Sequence, residues 1–223
     1  MRHRLRLTTW IAFADFFSAI ALVGLALYGH QRQQNIRVST GVKHLTQQVY
    51  DRLRANGVEA APSFREAAIS LPETVLFQPG RFDIEHPDKL ANIAAALKEV
   101  RSEWEGRFVL VVRGHTDAWP PRSGPGRAYS NNLELSWLRA NAVERQLAAN
   151  GVSAPAFQIA AQGVGQEEPV VDNCGGESPT PRAYCSDIAE IRAPAELARN
   201  RRIELRFGFF SGNASGALEQ PHK

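Results

Sequence analysis

The stretch TTWIAFADFFSAIALVGLALY, residues 8–28, constrains this chain more than any other feature. It is an apolar run with one acid, Asp15, inside it. About 20 apolar residues in a helix cross the ~30 Å hydrocarbon core of a bilayer. Arg2, Arg4 and Arg6 stand directly before the run, and basic residues on one flank hold that flank in the cytoplasm. The reading is a short cytoplasmic tail over 1–7, a single transmembrane helix over 8–28, and a chain that lies outside from there on. A cleaved export signal fits less well, because the run is long and no small-x-small cleavage site stands near Tyr28.

The acid inside that helix needs a reason. A carboxylate at the centre of a transmembrane helix costs about 2.5–3.5 kcal/mol on insertion scales. Asp15 lies seven residues past Thr8, ~10 Å along the axis, and its short side chain does not reach the interface easily. A mere anchor is better without it. The residues alone leave two options open. A protonated Asp15 is tolerated or supports helix pairing, or it loads and unloads protons, because desolvation raises the pKa of a carboxyl group.

With 223 residues, the chain has room for this helix and one domain with its own core. A charged fraction of 22% against 43% hydrophobic residues is globular and not disordered. The net charge of +3, part of it from the three leading arginines, is too small to argue for a nucleic-acid partner. Both cysteines, Cys174 and Cys185, fall on the exported side. An oxidising compartment lets them pair and close a short loop. Zinc does not fit so few ligands without a CxxC.

Past the membrane segment, residues 31–56 are polar with a stripe of Val38, Val42, Leu45, Val49 and Leu53 at three- and four-residue intervals. That stripe suits a helix pairing with a copy of itself, or one lying on its own domain. EAAPSF with Pro62 reads as the end of a helical linker over 29–66. Strand and helix patterns then alternate. AISLPETVLF reads as one or two short strands, 88–105 as a helix, RFVLVVRGH as a strand and TDAWPPRSGPGRAYS as a long loop. Residues 131–150 read as a helix, capped by Asn131 with Glu134 or by Ser130. AFQIAAQG gives another strand, 193–200 a further helical stretch and RRIELRFGFF the last strand, with a disordered tail over 211–223. The expectation is an α/β sandwich over 67–210.

Four segments carry the chemistry: GHTD, NNLELSWLRANAVERQL, GVGQEEP and ARNRRIEL. Asp117 stands just past a strand end, where loop residues are free to bind. Asn132, Ser136, Arg139 and Val143 share one face of the following helix. An arginine fork takes a carboxylate and an acid takes an ammonium, so Asp117 with Arg139 suits a zwitterion. The two side chains pairing with each other is the plainer alternative. His115, Asp117 and Ser136 make no catalytic set: Ser136 has no nucleophile elbow, and two possible metal ligands lack a third. GVG is no phosphate loop. We expect no enzyme and no cofactor.

In their order, these segments resemble the peptidoglycan-binding domain of the OmpA and MotB families. The resemblance covers roughly residues 73–207 and implies a mixed-sheet α/β sandwich. It also implies that Asp117 and Arg139 clamp the diaminopimelate of a stem peptide, with Thr116 and Asn132 as secondary contacts. Two departures stand out: the loop after GHTD is long and rich in Pro and Gly, and Leu197 replaces an arginine frequent in the family. WIAFAD followed by Ser18 resembles the transmembrane signature of MotB-type stator subunits, matched at Trp10, Phe13, Ala14 and Asp15. That implies an inner-membrane homodimer ringed by a multi-spanning MotA-type partner, with Asp15 carrying the ion and Ser18 supporting it. LFQPGRFDI and NRRIELRFGFF look similar to the B subunit of Zorya anti-phage systems, which use the same motor architecture. The alternatives are a flagellar MotB and an OmpA-like wall-binding protein without ion transport.

Overall fold

The computed structural model describes residues 23–29, 40–63, 66–104, 108–121 and 129–209. Asp15, Ser18, most of the expected membrane helix and the expected disordered tail lie outside the described residues. Among those described, no helix is long and apolar enough to cross a membrane. The chain divides into two units, Met1–Gly41 and Val42–Lys223. In the first, residues 23–29 are helical, with Val23, Leu25, Leu27 and Tyr28 exposed.

The second unit is built on a five-stranded mixed sheet. Its strands are β1 (Ala61–Ser63), β2 (Ala68–Pro72), β3 (Phe108–His115), β4 (Phe157–Gly165) and β5 (Arg202–Phe209). They lie in the order β1-β2-β5-β3-β4, with β3 and β4 parallel and every other pairing antiparallel. The parallel pair forces a crossover, made by helix α3 (Asn132–Ala149). Helix α2 (Pro87–Ser102) starts on a proline in its first turn, where the missing N–H costs nothing. Helix α1 covers residues 40–55.

Alternation along the strands separates two faces. Ile69, Leu205 and Val112 align across β2, β5 and β3. They join one apolar cluster with Leu90, Ile93 and Leu97 of α2 and with Ala140, Val143 and Leu147 of α3. The opposite face aligns Ser70, Glu204, Arg113 and Gln162, so the charged strand residues stand opposite the apolar cluster.

Several sequence expectations change here. The stripe on α1 lies on its own domain: Val42, Leu45, Val49 and Leu53 are buried in the common cluster. Gln48 accepts from the Trp104 indole at 2.6 Å, and Arg52 reaches Glu103 at 3.0 Å. APS is not a linker, because Ala61–Ser63 pairs with β2 as an edge strand; proline is tolerated at an edge. AISLPETVLF gives one strand, followed by a 3-10 turn at Glu73–Val75. The stretch 194–200 is a run of turns and not a helix, with bonds such as Glu196 N–H to Ala193 O and Asn200 N–H to Leu197 O. Asn131 caps α3 by accepting from Glu134 N–H at 2.8 Å, while the Glu134 carboxylate reaches back to Ser130 N–H and Oγ.

Candidate functional site

The site forms where α3 crosses the ends of β3 and β4. A methyl group on Gly114 would stand 2.0 Å from the Ser136 carbonyl oxygen, and one on Gly163 2.8 Å from the Leu133 carbonyl. Only hydrogen at both positions lets the helix backbone rest directly on the sheet. Ser136 locks the contact, its hydroxyl donating to Leu133 O and accepting from Gly165 N–H at 2.9 Å. This close approach carries Asn132 to the strand ends and buries Arg139 beside the start of the 3-10 turn.

Asp117 and Arg139, the pair expected to act together, have different partners. Arg139 donates to the Glu73 carboxylate and, from Nε, to Arg81 O at 2.8 Å. Its guanidinium lies 5.5 Å from the centre of the Phe77 ring. Burial lowers its pKa and Glu73 opposes that shift, so the group stays charged. Asp117 accepts Trp119 N–H at 3.1 Å on Oδ1 and the Arg201 guanidinium at 2.6 Å on Oδ2. Arg201 joins the two halves, with Nε 2.9 Å from Glu73 Oε2. The result is a chain of alternating charge, Arg139–Glu73–Arg201–Asp117. Arg201 is its most open member, with a side chain 25% exposed against 10% for Asp117.

Glu73 and Arg201 carry half of this arrangement. In the sequence Arg201 is one of three arginines in ARNRRIEL that could contact a ligand or cap the last strand, with nothing to choose among them. Glu73 has no such reading there; an acid inside the apolar run AISLPETVLF is the signal that could have found it. Arg202 is structural, donating to Glu204 at 2.7 Å and to Asn200 O. Asn132 is a staple: its amide donates to Asp117 O, Trp119 O and Gln166 Oε1. Thr116 is buried, and its hydroxyl makes no hydrogen bond among the described residues.

On the helix-free face, Arg113 pairs with Glu168 and Glu204, and Arg206 with Glu204, Glu66 and Glu168. His115 Nε2 lies 3.3 Å from Glu204 Oε2, outside hydrogen-bonding geometry. Burial pushes the His115 pKa down. Burial alone would raise Glu204, but His115 and the Arg202 guanidinium bring it well below the usual carboxylate range. This network binds sheet to loop. Among the described residues no group of three His, Cys, Asp or Glu is placed to hold a metal ion. Cys174 and Cys185 form a disulfide, with Cα atoms 5.4 Å apart.

Fold and site together define a mixed-sheet α/β sandwich with a charged relay at its strand ends. Residues 76–180 match the OmpA family model, which takes in Asp117 and Arg139 and leaves out Glu73 and Arg201. The chain has the fold of a MotB-like protein from Desulfovibrio vulgaris, 22% identical at a TM-score of 0.51, covering 78% of this chain and 99% of that one. The cell wall anchor of the T6SS from Pseudomonas aeruginosa is 24% identical over 74% of this chain and 96% of its own, at 0.49. The periplasmic domain of Helicobacter pylori MotB is 20% identical over 66% and 83%, at 0.46. No curated protein matches the chain.

Proposed function

We propose that the chain is the wall-anchored stator subunit of a proton-driven membrane motor, in a Zorya-type anti-phage complex. Its outer domain grips peptidoglycan, and Asp15 carries the ion beside a multi-spanning MotA-type partner. The observation that carries the wall-binding half is the alternating relay ending at Asp117. A zwitterion such as the side-chain end of diaminopimelate enters between Arg201 and Asp117 without breaking the alternation. Its carboxylate meets Arg201 and its ammonium meets Asp117, while Arg139 and Glu73 stay paired beneath. Charge-assisted bonds of this kind are the strong ones.

Calorimetry of the purified full chain with a diaminopimelate-containing stem tripeptide tests this half. Binding is expected in the wild type and at least about tenfold weaker in Arg201→Gln, the loss of roughly one charged hydrogen bond. Failure of the wild type to bind sinks the wall reading. For the motor half, the tagged chain is purified from its own membranes. Recovery of a multi-spanning partner in excess over a dimer of this chain, and loss of phage protection in Asp15→Asn with the complex intact, are the expected results. A chain that arrives alone leaves a wall-binding structural protein without ion traffic.

A further inference from the structure

His115 stands at the crossing from which both arms of the Asp117–Arg201 pair leave the sheet. It lies directly opposite Arg202 in the β3–β5 register. Arg201 is the residue before Arg202, Asp117 is two past His115, and the two are bonded at 2.6 Å. Between His115 and Asp117, Thr116 is fixed by its N–H to Gly165 O at 2.8 Å. A push between His115 and Arg202 is therefore passed to the pair within one residue on β5 and two on β3.

The ring is 1% exposed, and neither of its nitrogens makes a hydrogen bond among the described residues. The charges that face it come from three elements. Strand β3 supplies Arg113, β5 supplies Arg202 and Glu204, and the loop after β4 supplies Glu168. Glu204 already takes Arg202 at 2.7 Å, Arg206 at 3.2 Å and Arg113 at 3.5 Å. Arg113 also holds Glu168. Each carboxylate near the ring is thus engaged before the histidine takes a proton.

An imidazolium at this place is a fourth cation on Glu204, whose Oε2 lies 3.3 Å from Nε2. It also sets two positive charges directly opposite each other across the strands, which destabilises the pairing. Burial, Arg202 and Arg113 accordingly hold the His115 pKa below the ordinary histidine value. We propose that His115 is a proton-sensitive positioning residue of the stem-peptide site: protonation parts the β3–β5 ends, loosens the Asp117–Arg201 pair and weakens the grip on the wall. The neutral ring is the gripping form, so affinity is full above about pH 6.5 and declines below it. This rests on the wall-binding reading and adds its regulation. Under the motor reading the site faces the compartment that supplies the protons, so grip and drive respond to the same proton concentration.

The stem tripeptide is titrated into the full chain at about pH 7.5 and about pH 5, across the window in which an ordinary histidine changes charge. The wild type is expected to bind at least about fivefold more weakly at the lower pH, the low end of a coupling between two sites. His115→Gln, uncharged at both, is expected to lose most of that difference. Linkage is reciprocal, so saturating tripeptide should lower the titration midpoint of the His115 ring in wild-type NMR spectra, a shift that a merely structural histidine does not show. Equal wild-type affinity at the two pH values, a pH dependence that survives His115→Gln, or a midpoint that the tripeptide leaves in place overturns this proposal and spares the wall-binding reading. A tripeptide that binds at neither pH overturns the wall-binding reading, and this proposal with it.

Discussion

Arg139 and Glu73 form an ion pair shielded from water, with side chains only 3% and 4% exposed. Two charges in such a place need each other, because removing one partner leaves the other buried and uncompensated. Glu73 is the critical member, since both Arg139 and Arg201 rest on it. Glu73→Gln is expected to cost about 3–5 kcal/mol, read as a shift in the urea midpoint of the full chain. Arg201→Gln, at a partly open position, is expected to cost about 1 kcal/mol or less. Equal costs for the two would show that the relay is not anchored on Glu73.

Acid is expected to weaken the sheet-and-helix domain in two stages. The folded pKa of His115 is lowered, so below about pH 6.5 the unfolded chain takes a proton that the folded one refuses. Glu204 and Glu168 are also lowered. Their contribution is complete above the unfolded carboxyl value of about 4.3 and fades as pH falls toward the folded one. All three signs agree, so stability declines on acidification. Arg113, Arg202 and Glu204 face His115. Melting temperatures between pH 8 and pH 3 should fall gently below 6.5 and steeply below 4.3, and His115→Gln should flatten the upper stage. A wild-type profile flat from pH 7 to pH 5 would contradict this account.

The seat of α3 on the sheet makes a sharper prediction. A methyl at Gly114 meets the backbone carbonyl of Ser136 at 2.0 Å, and no side-chain rotation relieves a backbone clash. Gly114→Ala should therefore lift α3 off β3, displacing Asn132 and Arg139 together. The expected readout is loss of cooperative unfolding. Gly208→Ala, whose methyl would stand 3.9 Å from Val109 Cβ, should fold normally and serves as the control.

Much of the scaffold was legible because each strand and helix declares its own period. RIELRFGF alternates, FVLVVRGH is a β-rich run ended by Gly114, and the apolar positions of 132–149 recur at three and four. The helical stripe from Val42 to Leu53 was equally clear, but periodicity says only that a face is buried, not against what; its choice of its own domain depends on α2 and Trp104. Pro62 misled because a linker and an edge strand tolerate proline for the same reason, the missing donor. At the site, Asp117 and Arg139 were visible as residue types in a known order. Their partners were not, because Glu73 and Arg201 meet across 128 positions of sequence and no local pattern records such a contact.

The disulfide offers the last test. A loop of this size closed by Cys174 and Cys185 stabilises by about 3 kcal/mol in the chain-entropy view. The excursion it closes lies outside the apolar cluster, so most of that effect should appear locally. Other bonds hold its base: Arg182 forks onto Asp172 at 3.0 and 3.1 Å, Arg192 donates to Cys174 O, and Asn200 donates to Asn173. The double substitution Cys174→Ser with Cys185→Ser is therefore expected to keep the sheet and the Asp117 relay intact. Backbone amides across 175–190 should exchange faster, while those of β3 and β5 exchange as before. If the core strands lose protection to the same extent, the excursion is part of the folding unit, and its bridge holds the whole domain together.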